Sequence, residues 1–230
     1  MFFFISDIHL REDNSKSTEI FLKFLKKYAI KAKSIYILGD LFDYWIGDDK
    51  ISKYHIKISK ELKRLSKRGT SCFFIRGNRD FLLGKKFIKK SGMILLNDEE
   101  VINLYKRKIL LLHGDVLCEK DTVYKIYRDF VRNYFVQKIF LFLPRSLRVF
   151  IVKIIKTNSI VNNNKFVDIK IVKKIFLKYD CNYIIHGHLH KYEVNKLFNK
   201  KLCKISLGGW EKYAYISKMT KKGFSLIKLT

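Results

Sequence analysis

The sequence predicts an α/β fold in which β-strands alternate with helices. Five short, β-prone apolar runs recur along the chain, and segments with helical spacing of apolar residues lie between them. This alternation is typical of sheets covered by helices. With 230 residues, 48% of them hydrophobic, the chain can bury one large core, or a core plus a small cap.

Each strand-like run stops at a polar residue. Ligands of layered α/β proteins gather beyond the carboxyl ends of strands, so these residues mark the edge where a functional site is expected. The runs are FFFIS before Asp7, SIYIL before Gly39 and Asp40, CFFI before Asn78, KILLL before His113, and YII before His186.

Two helices are predicted between the first three strands. Apolar residues follow helical spacing from Ile20 to Tyr28 and again from Ile51 to Leu65. Gly69 comes shortly after the second segment and is a typical helix stop.

Residues 119–165 lack the strand pattern and are helical, apolar and basic. Pro144 interrupts this segment, which predicts two or more short helices. We therefore expect a core of residues 1–118 and 166–230 with a helical insertion at 119–165. A second small core is the commoner explanation for so wide an apolar stripe.

The formal net charge is +27, from 48 Lys and Arg against 21 Asp and Glu. It favours phosphate-bearing partners such as nucleic acid, anionic lipid or a polyanionic substrate, although a coding bias toward A and T explains the excess of lysine equally well. The four cysteines lie far apart and suggest neither disulfides nor a thiolate zinc site. Asp7 interrupts the apolar N-terminus before a signal-peptide core could form, so we expect a cytoplasmic protein.

The polar residues at the strand ends are metal-ligand types. Asp7 and His9 are two residues apart, as are His188 and His190, and on extended backbone this spacing sends both side chains to one face. Asp40 and His113 each stand beside a glycine, which lets the backbone come close to a ligand.

Together these residues supply only oxygen and nitrogen donors, which suit manganese, iron or zinc. Seven ligands are too many for one ion, so we expect two, with Asp40 as the bridging carboxylate and Asn78 as a neutral ligand. Taken alone, Gly77 and Asn78 are explained equally well by a turn. The predicted ligands are Asp7, His9, Asp40, Asn78, His113, His188 and His190.

The segments DIH, GD, GN, HGD and GHLH, in this order and spacing, resemble the motifs of the calcineurin-like metallophosphoesterases over most of the chain. The resemblance implies a four-layer αββα sandwich with a helical lid. It also implies two divalent ions, most simply Mn²⁺. One ion would be held by Asp7, His9, Asp40 and His190, and the other by Asp40, Asn78, His113 and His188.

A narrower resemblance links GDLFDYWIGDD, GNRDFLLG and LLHGDVLCEKD to the UDP-2,3-diacylglucosamine pyrophosphatase family of lipid A synthesis. It implies hydrolysis to UMP and 2,3-diacylglucosamine 1-phosphate, with Asp40, Asn78, Arg79 and His113 as catalytic residues. Arg79 stands where many relatives of the superfamily carry histidine, and its guanidinium can clamp a phosphate. The alternative for Arg79 is a surface ion pair with Asp80.

The same resemblance implies further substrate contacts and a lid for the two acyl chains. Two departures from the family pattern are Asp43, where Glu is usual, and LGGW at 207–210, where LGDW is usual. The substrate-binding residues that it implies are Asn78, Arg79, Asp121, Asn158, Asn162, Lys165 and His188.

Basic and aromatic residues interleave in the insertion. This pattern indicates peripheral contact with the cytoplasmic face of the inner membrane, with a solvated charged face as the alternative. We expect a UDP-linked acylated sugar as substrate, no nucleic-acid partner and a monomer.

Other functions remain open at this level. The nearest alternative is another phosphoesterase of this fold, such as a dinucleoside polyphosphatase or a nuclease. A basic binding protein with a vestigial metal site is a third hypothesis. His186 is interpreted as a core or supporting histidine and His55 as an exposed one.

Overall fold

Two β-sheets lie face to face in the computed structural model, and helices cover their outer sides. The structure describes residues 1–13, 15–49, 51–118, 122–159, 167–197, 202–211 and 213–229. The strands are β1 (Phe2–Ile5), β2 (Ser34–Leu38), β3 (Ser71–Ile75), β4 (Ile94–Leu95), β5 (Glu99–Leu104), β6 (Arg107–Leu112), β7 (Tyr183–His186), β8 (Glu193–Leu197), β9 (Leu202–Ser206), β10 (Ala214–Thr220) and β11 (Gly223–Leu229).

The first sheet has the strand order β11-β10-β1-β2-β3-β4 and the second has β5-β6-β7-β9-β8. Strands β1 to β4 are parallel to one another, as are β6, β7 and β9. The outer strands β10, β11, β5 and β8 pair antiparallel. The five strands predicted from the sequence are β1, β2, β3, β6 and β7, and all five are confirmed.

Helices connect the strands and flank both sheets. Two short 3₁₀ turns, Ala29–Lys31 and Asp115–Leu117, complete the helical elements of the described residues. The α-helices are α1 (Ser15–Lys27), α2 (Lys53–Lys67), α3 (Lys85–Ser91), α4 (Thr122–Arg132), α5 (Tyr134–Phe142), α6 (Arg145–Ser159) and α7 (Ile169–Tyr179).

The central strands are apolar throughout because both faces of each sheet are buried. In β1, Phe3 and Ile5 face the cluster that includes α1 and α2, whereas Phe2 and Phe4 face the second sheet. In β6, Leu110 and Leu112 pack with α7, and the alternate residues of that strand point between the sheets. The period of two along each strand thus produces the expected four layers.

Helix α2 shows why the predicted helices form where they do. The Ser52 side chain caps it by accepting from the backbone N–H of His55, and Ile58, Leu62 and Leu65 are buried along one face. Gly69, just beyond its end, has a φ of +94°. That left-handed conformation favours glycine, so the predicted stop is confirmed.

Helices α4, α5 and α6 lie within the predicted insertion and are called here the insert. Pro144 lies between α5 and α6, as predicted. No apolar side chain in residues 125–156 is fully buried, so within this described stretch the second small core is not formed. Both boundaries of the predicted insertion involve residues outside the described ranges, and the domain division stays a prediction.

The insert is apolar on its outside. Among the described residues, no helix is both long enough and apolar enough to span a bilayer. The exposed apolar side chains of the insert include Ile126, Phe130, Tyr134, Phe135, Ile139, Phe142 and Phe150.

Candidate metal centre

The seven predicted ligands lie together at the carboxyl ends of the central strands. Asp7 and His9 follow β1, Asp40 follows β2, and Asn78 follows β3. His113 follows β6 of the other sheet, and His188 and His190 follow β7. Both sheets therefore direct their strand ends to one edge, where the candidate site lies.

The backbone at these positions is unusual. Asp7, His9, Asp40, His188 and His190 all have φ between +49° and +71°, in the left-handed region that residues other than glycine rarely adopt. The expectation of extended backbone at the Asp7–His9 and His188–His190 pairs is therefore wrong. Strained conformations of this kind persist only where surrounding structure enforces them, and they cluster at functional sites.

Glycines let the ligand loops pack backbone against backbone. A Cβ at Gly39 would lie 2.5 Å from His113 Nδ1, and one at Gly77 would lie 2.1 Å from Asp40 Oδ1. No side chain fits in either place, so the prediction that glycine permits a close approach is confirmed at Gly39.

Asp7, His9 and His190 form one candidate ligand group, with donor atoms all within 4.8 Å of one another. His9 Nε2 lies 3.2 Å from His190 Nε2. Asp7 Oδ2 accepts from the Ser6 hydroxyl and from the His188 backbone N–H, whereas the buried Asp7 Oδ1 has no hydrogen-bond partner among the described residues. A buried oxygen without a partner, facing two imidazole nitrogens, fits a bound cation.

Asp40, Asn78, His113 and His188 converge on the other side. The Asn78 side-chain oxygen lies 2.8 Å from His113 Nε2 and 3.2 Å from His188 Nδ1. Asp40 and His113 form a second candidate ligand group together with Asp7.

Asp40 occupies the middle of the site. Its Oδ2 atom is 3.8 Å from both His9 Nε2 and His113 Nε2, one histidine from each predicted ligand set. Burial, together with the nearby Asp7 carboxylate, raises the pKa of Asp40, although His113 and Arg79 oppose the shift. Two buried carboxylates so close together require compensating positive charge.

Two histidines are oriented by hydrogen bonds on their outer nitrogens. His113 Nδ1 lies 2.9 Å from the Leu38 carbonyl oxygen, and His190 Nδ1 lies 2.9 Å from Glu211 Oε1. Each contact leaves Nε2 directed at the centre, as metal-ligating imidazoles require. Gly209, at the departure from LGDW, lies directly against the His190 ring.

Asp80 holds the two central loops together. It is completely buried, and its carboxylate accepts backbone N–H groups of Gly77 at 2.7 Å, Leu41 at 2.7 Å and Asp40 at 3.3 Å. Burial and the neighbouring Asp40 raise the pKa of Asp80 to about 7. Sequence reasoning missed this role, although Asp80 follows Asn78 within the same motif.

Arg79 lies at the rim of the site. Its backbone N–H donates to Asp40 Oδ1 at 2.9 Å, its Nε lies 3.8 Å from Asp40 Oδ2, and its Nη1 donates to Asp43 Oδ1 at 3.2 Å. The alternative of an ion pair with Asp80 is wrong, because Asp80 faces inward to backbone amides. One third of the Arg79 side chain is exposed, at the mouth of the site.

Several predicted substrate contacts cannot be located. Asp121, Asn162 and Lys165 lie outside the described residues, and so does the side chain of Asn158, although its backbone belongs to α6. Their roles remain predictions.

The two remaining histidines have different environments. His186 is buried, and burial together with Lys204 lowers its pKa to about 3, which agrees with a core role. His55 is half-buried against the rings of Phe42 and Trp45, so its predicted exposure is wrong.

Four of the eight cations in the insert face core acids rather than solvent. Arg128 and Arg132 both pair with the buried Asp115, and Arg132 also pairs with Asp98. The other two pairs are Arg148–Asp49 and Lys156–Asp43. The expectation that all these cations form a membrane-facing surface is therefore wrong for half of them.

Comparison with known proteins agrees with this geometry. The family model described as calcineurin-like phosphoesterase matches residues 1–192. The UDP-2,3-diacylglucosamine hydrolase of Photorhabdus laumondii is 44% identical, and that of Yersinia pestis is 41% identical. Both alignments cover 97% of each chain.

Solved structures share the fold at low sequence identity. An archaeal phosphodiesterase superposes with a TM-score of 0.52 at 12% identity, covering 99% of both chains. Vacuolar protein sorting 29 of Cryptosporidium parvum superposes with a TM-score of 0.51 at 12% identity, and the alignment covers 99% of this chain and 95% of that protein's chain. By its sequence and its fold, the chain belongs to the calcineurin-like phosphoesterase family, in the same branch as the UDP-2,3-diacylglucosamine hydrolases.

Proposed function

We propose that the protein is a metal-dependent hydrolase that cleaves the diphosphate of UDP-2,3-diacylglucosamine during lipid A synthesis. Water attacks the phosphorus next to uridine, and the bond from this phosphorus to the bridging oxygen breaks. The products are UMP and 2,3-diacylglucosamine 1-phosphate, which keeps the bridging oxygen.

The convergence of seven oxygen and nitrogen donors from five strand ends carries this proposal. The substrate is assigned from the relatives, which align along nearly the whole chain at 41–44% identity and are named for this lipid. A donor set without sulfur suits Mn²⁺, and the unpartnered Asp7 Oδ1 fits such an ion.

Two divalent ions, held by Asp7, His9, Asp40 and His190 and by Asp40, Asn78, His113 and His188, would lower the pKa of water and neutralise phosphate charge. The protein's own contribution is to fix these donors before substrate arrives. Hydrogen bonds to the Leu38 carbonyl and the Glu211 carboxylate set the rings of His113 and His190, and Asp80 sets the loops of Asp40 and Asn78.

Arg79 acts on the diphosphate itself. The departing group is a phosphate monoester, which needs little protonation, so charge neutralisation can replace a general acid. An arginine stays charged at working pH and can bind two phosphate oxygens at once. Its place at the half-open rim, beside Asp40, suits this role.

The insert would receive the lipid part of the substrate. We assign the acyl chains to its apolar side, and further contacts to Asp121, Asn158, Asn162, Lys165 and the site residues Asn78 and His188. These assignments rest on the family resemblance.

We also propose that the insert rests on the cytoplasmic face of the inner membrane, where the substrate resides. Phe135 and Phe142 are 71% and 92% exposed and lie two turns apart on the same face of α5. Residues 122–159 contain eight basic residues and one acidic residue, Asp129, and half of the eight pair with acids of the core. Apolar anchors beside cations suit an anionic lipid surface.

The central experiment incubates the purified protein with Mn²⁺ and UDP-2,3-diacylglucosamine and measures UMP. Asp40→Ala and Asn78→Ala should abolish UMP release while the protein stays folded. Asp180→Asn is a matched control, because Asp180 is an exposed helix-capping residue far from the site and asparagine tolerates its left-handed backbone.

Turnover of a dinucleoside polyphosphate or nucleic acid without turnover of the lipid would replace this proposal by the alternative phosphoesterase functions. Running the reaction in oxygen-18 water tests the attacked phosphorus, since the label should appear in UMP. Label in the lipid product would contradict the proposed bond.

Co-sedimentation with phosphatidylglycerol vesicles tests the membrane contact. The double variant Phe135→Ser/Phe142→Ser should bind at least about tenfold more weakly, because two aromatic side chains that would insert into the lipid surface are lost. Leu177→Ser, an equally exposed apolar residue on α7, is the control. Equal binding of both variants would rule out the insert as the membrane contact.

A further inference from the structure

Asp43 is a nearly buried carboxylate that contacts basic side chains from three different parts of the chain. It follows β2 on the loop that also carries Asp40, and only 7% of it is exposed. Its Oδ1 accepts from Arg79 Nη1 at 3.2 Å and lies 3.9 Å from His9 Nδ1. Its Oδ2 accepts from Lys156 Nζ.

The lysine comes from the insert. Lys156 belongs to α6, 113 positions further along the chain, and its ammonium also lies 5.3 Å from the centre of the Tyr44 ring. Asp43 and Lys156 line a cavity of about 310 Å³ that lies between the β2 loop and α6. The ion pair thus bridges the insert and the catalytic edge.

We infer that Asp43 is a positioning residue for Arg79 and that Lys156 makes this positioning depend on the insert being seated on the core. This inference rests on the proposed function, in which Arg79 binds the diphosphate.

The chemistry of the two side chains explains why the arrangement works. A guanidinium offers five N–H donors in a rigid plane, so one arm held by Asp43 fixes the plane and leaves the other donors for phosphate. A carboxylate whose two oxygens each accept a hydrogen bond from a different side chain is held in one orientation. If Lys156 is withdrawn, the Asp43 carboxylate can rotate, and Arg79 loses its fixed direction.

Burial separates this ion pair from ordinary surface pairs, which contribute little. The Asp43 and Lys156 side chains are 9% and 34% exposed, whereas those of the paired Glu99 and Lys178 are 27% and 64% exposed. When a nearly buried charge loses one of two cationic partners, the other must compensate it alone, so removing Lys156 changes how Asp43 is held.

A double-mutant cycle tests the inference with Mn²⁺ and UDP-2,3-diacylglucosamine. In the wild-type background, Asp43→Asn and Lys156→Gln should each lower kcat/KM about 10- to 100-fold, the usual range for residues that orient a reacting group. In the Arg79→Ala background, neither should lower it further, because the residue through which they act is gone.

Conservative and distant variants supply the controls. Asp43→Glu and Lys156→Arg keep both charges and should retain activity within about threefold, since the pair can re-form. Lys178→Gln removes a lysine from an exposed pair on α7 and should match the wild type. Equal losses for Asp43→Asn with and without Arg79 would overturn the inference.

A second measurement does not depend on turnover. The Nε–Hε signal of Arg79, identified by its absence in Arg79→Lys, should show a rigid side chain in the Mg²⁺-loaded wild type and a mobile one in Asp43→Asn and Lys156→Gln. An equally rigid Arg79 in these variants would also overturn the inference. If the wild type released no UMP from the lipid, the proposed function would fail, and this signal would still decide the role of Asp43.

Discussion

Replacing Gly77 by alanine should disable the site by steric displacement alone. Gly77 is outside the left-handed region, so alanine brings no backbone strain there. The added Cβ would lie 2.1 Å from Asp40 Oδ1, where ordinary contacts begin at 3.4 Å, so the two groups must separate by about 1.3 Å. The backbone nitrogen of Asp40 also lies 2.4 Å from the same Cβ. Rotation of the Asp40 side chain therefore does not relieve the clash, and the backbone must move.

A displacement of about 1 Å at a reacting centre costs on the order of 100-fold in rate. We therefore expect Gly77→Ala to lower UMP release at least about 100-fold and to weaken Mn²⁺ binding in calorimetry. Its stability should fall by about 1–3 kcal/mol, the usual cost of overpacking, so urea unfolding is measured alongside to confirm that the variant is folded under the assay conditions.

Gly69→Ala is the matched control. Gly69 has a φ of +94°, and no atom of the described part of the chain lies within 4 Å of an added Cβ, so alanine there is strained but meets no neighbour in that part. It should lose about 1 kcal/mol of stability and no activity. The steric argument would be refuted if Gly77→Ala kept metal affinity and turnover within threefold of the wild type.

Three further variants test the surroundings of the site. Asp80→Asn removes one acceptor from the backbone amides of two ligand loops and should lower Mn²⁺ affinity about 10- to 100-fold; unchanged affinity would exclude this positioning role. Burial and the nearby Arg145 lower the pKa of His55 from 6.5 to about 4 in the folded protein. Between pH 6.5 and 4, His55 therefore binds a proton in the unfolded chain but not in the folded protein. Stability should therefore fall by at most about 3 kcal/mol as the pH drops through this window, and urea unfolding of His55→Phe should lack that part of the fall. Arg132→Met removes the ion pairs to Asp115 and Asp98, so amide hydrogen exchange in α4 should become faster than in the wild type. An unchanged exchange rate would show that these pairs do not stabilise the insert against the core.

The layered fold could be predicted because its cause is local. The runs from Phe2 to Ile5 and from Ile109 to Leu112 are apolar at every position, which is the pattern of strands buried on both faces. The ligands at the strand ends followed from the same observation, because parallel strands present their carboxyl ends at one edge.

The fine geometry of the site could not be predicted, because contacts between distant parts of the chain determine it. His9 and His190 face each other across 181 positions, and left-handed backbone at both is enforced by packing rather than by local preference. Lys156 reaches Asp43 from a helix whose sequence shows only an apolar and basic pattern. Glu211 gave no signal either, since a single exposed glutamate is ordinary.

The central claim is that these scattered donors hold two cations, and anomalous diffraction at the manganese edge from Mn²⁺-loaded crystals tests it most directly. The account predicts two peaks about 3.5–4 Å apart, a separation typical of two-metal phosphoryl sites, with Asp40 between them. A single peak, or peaks away from the seven side chains in protein that releases UMP, would contradict it.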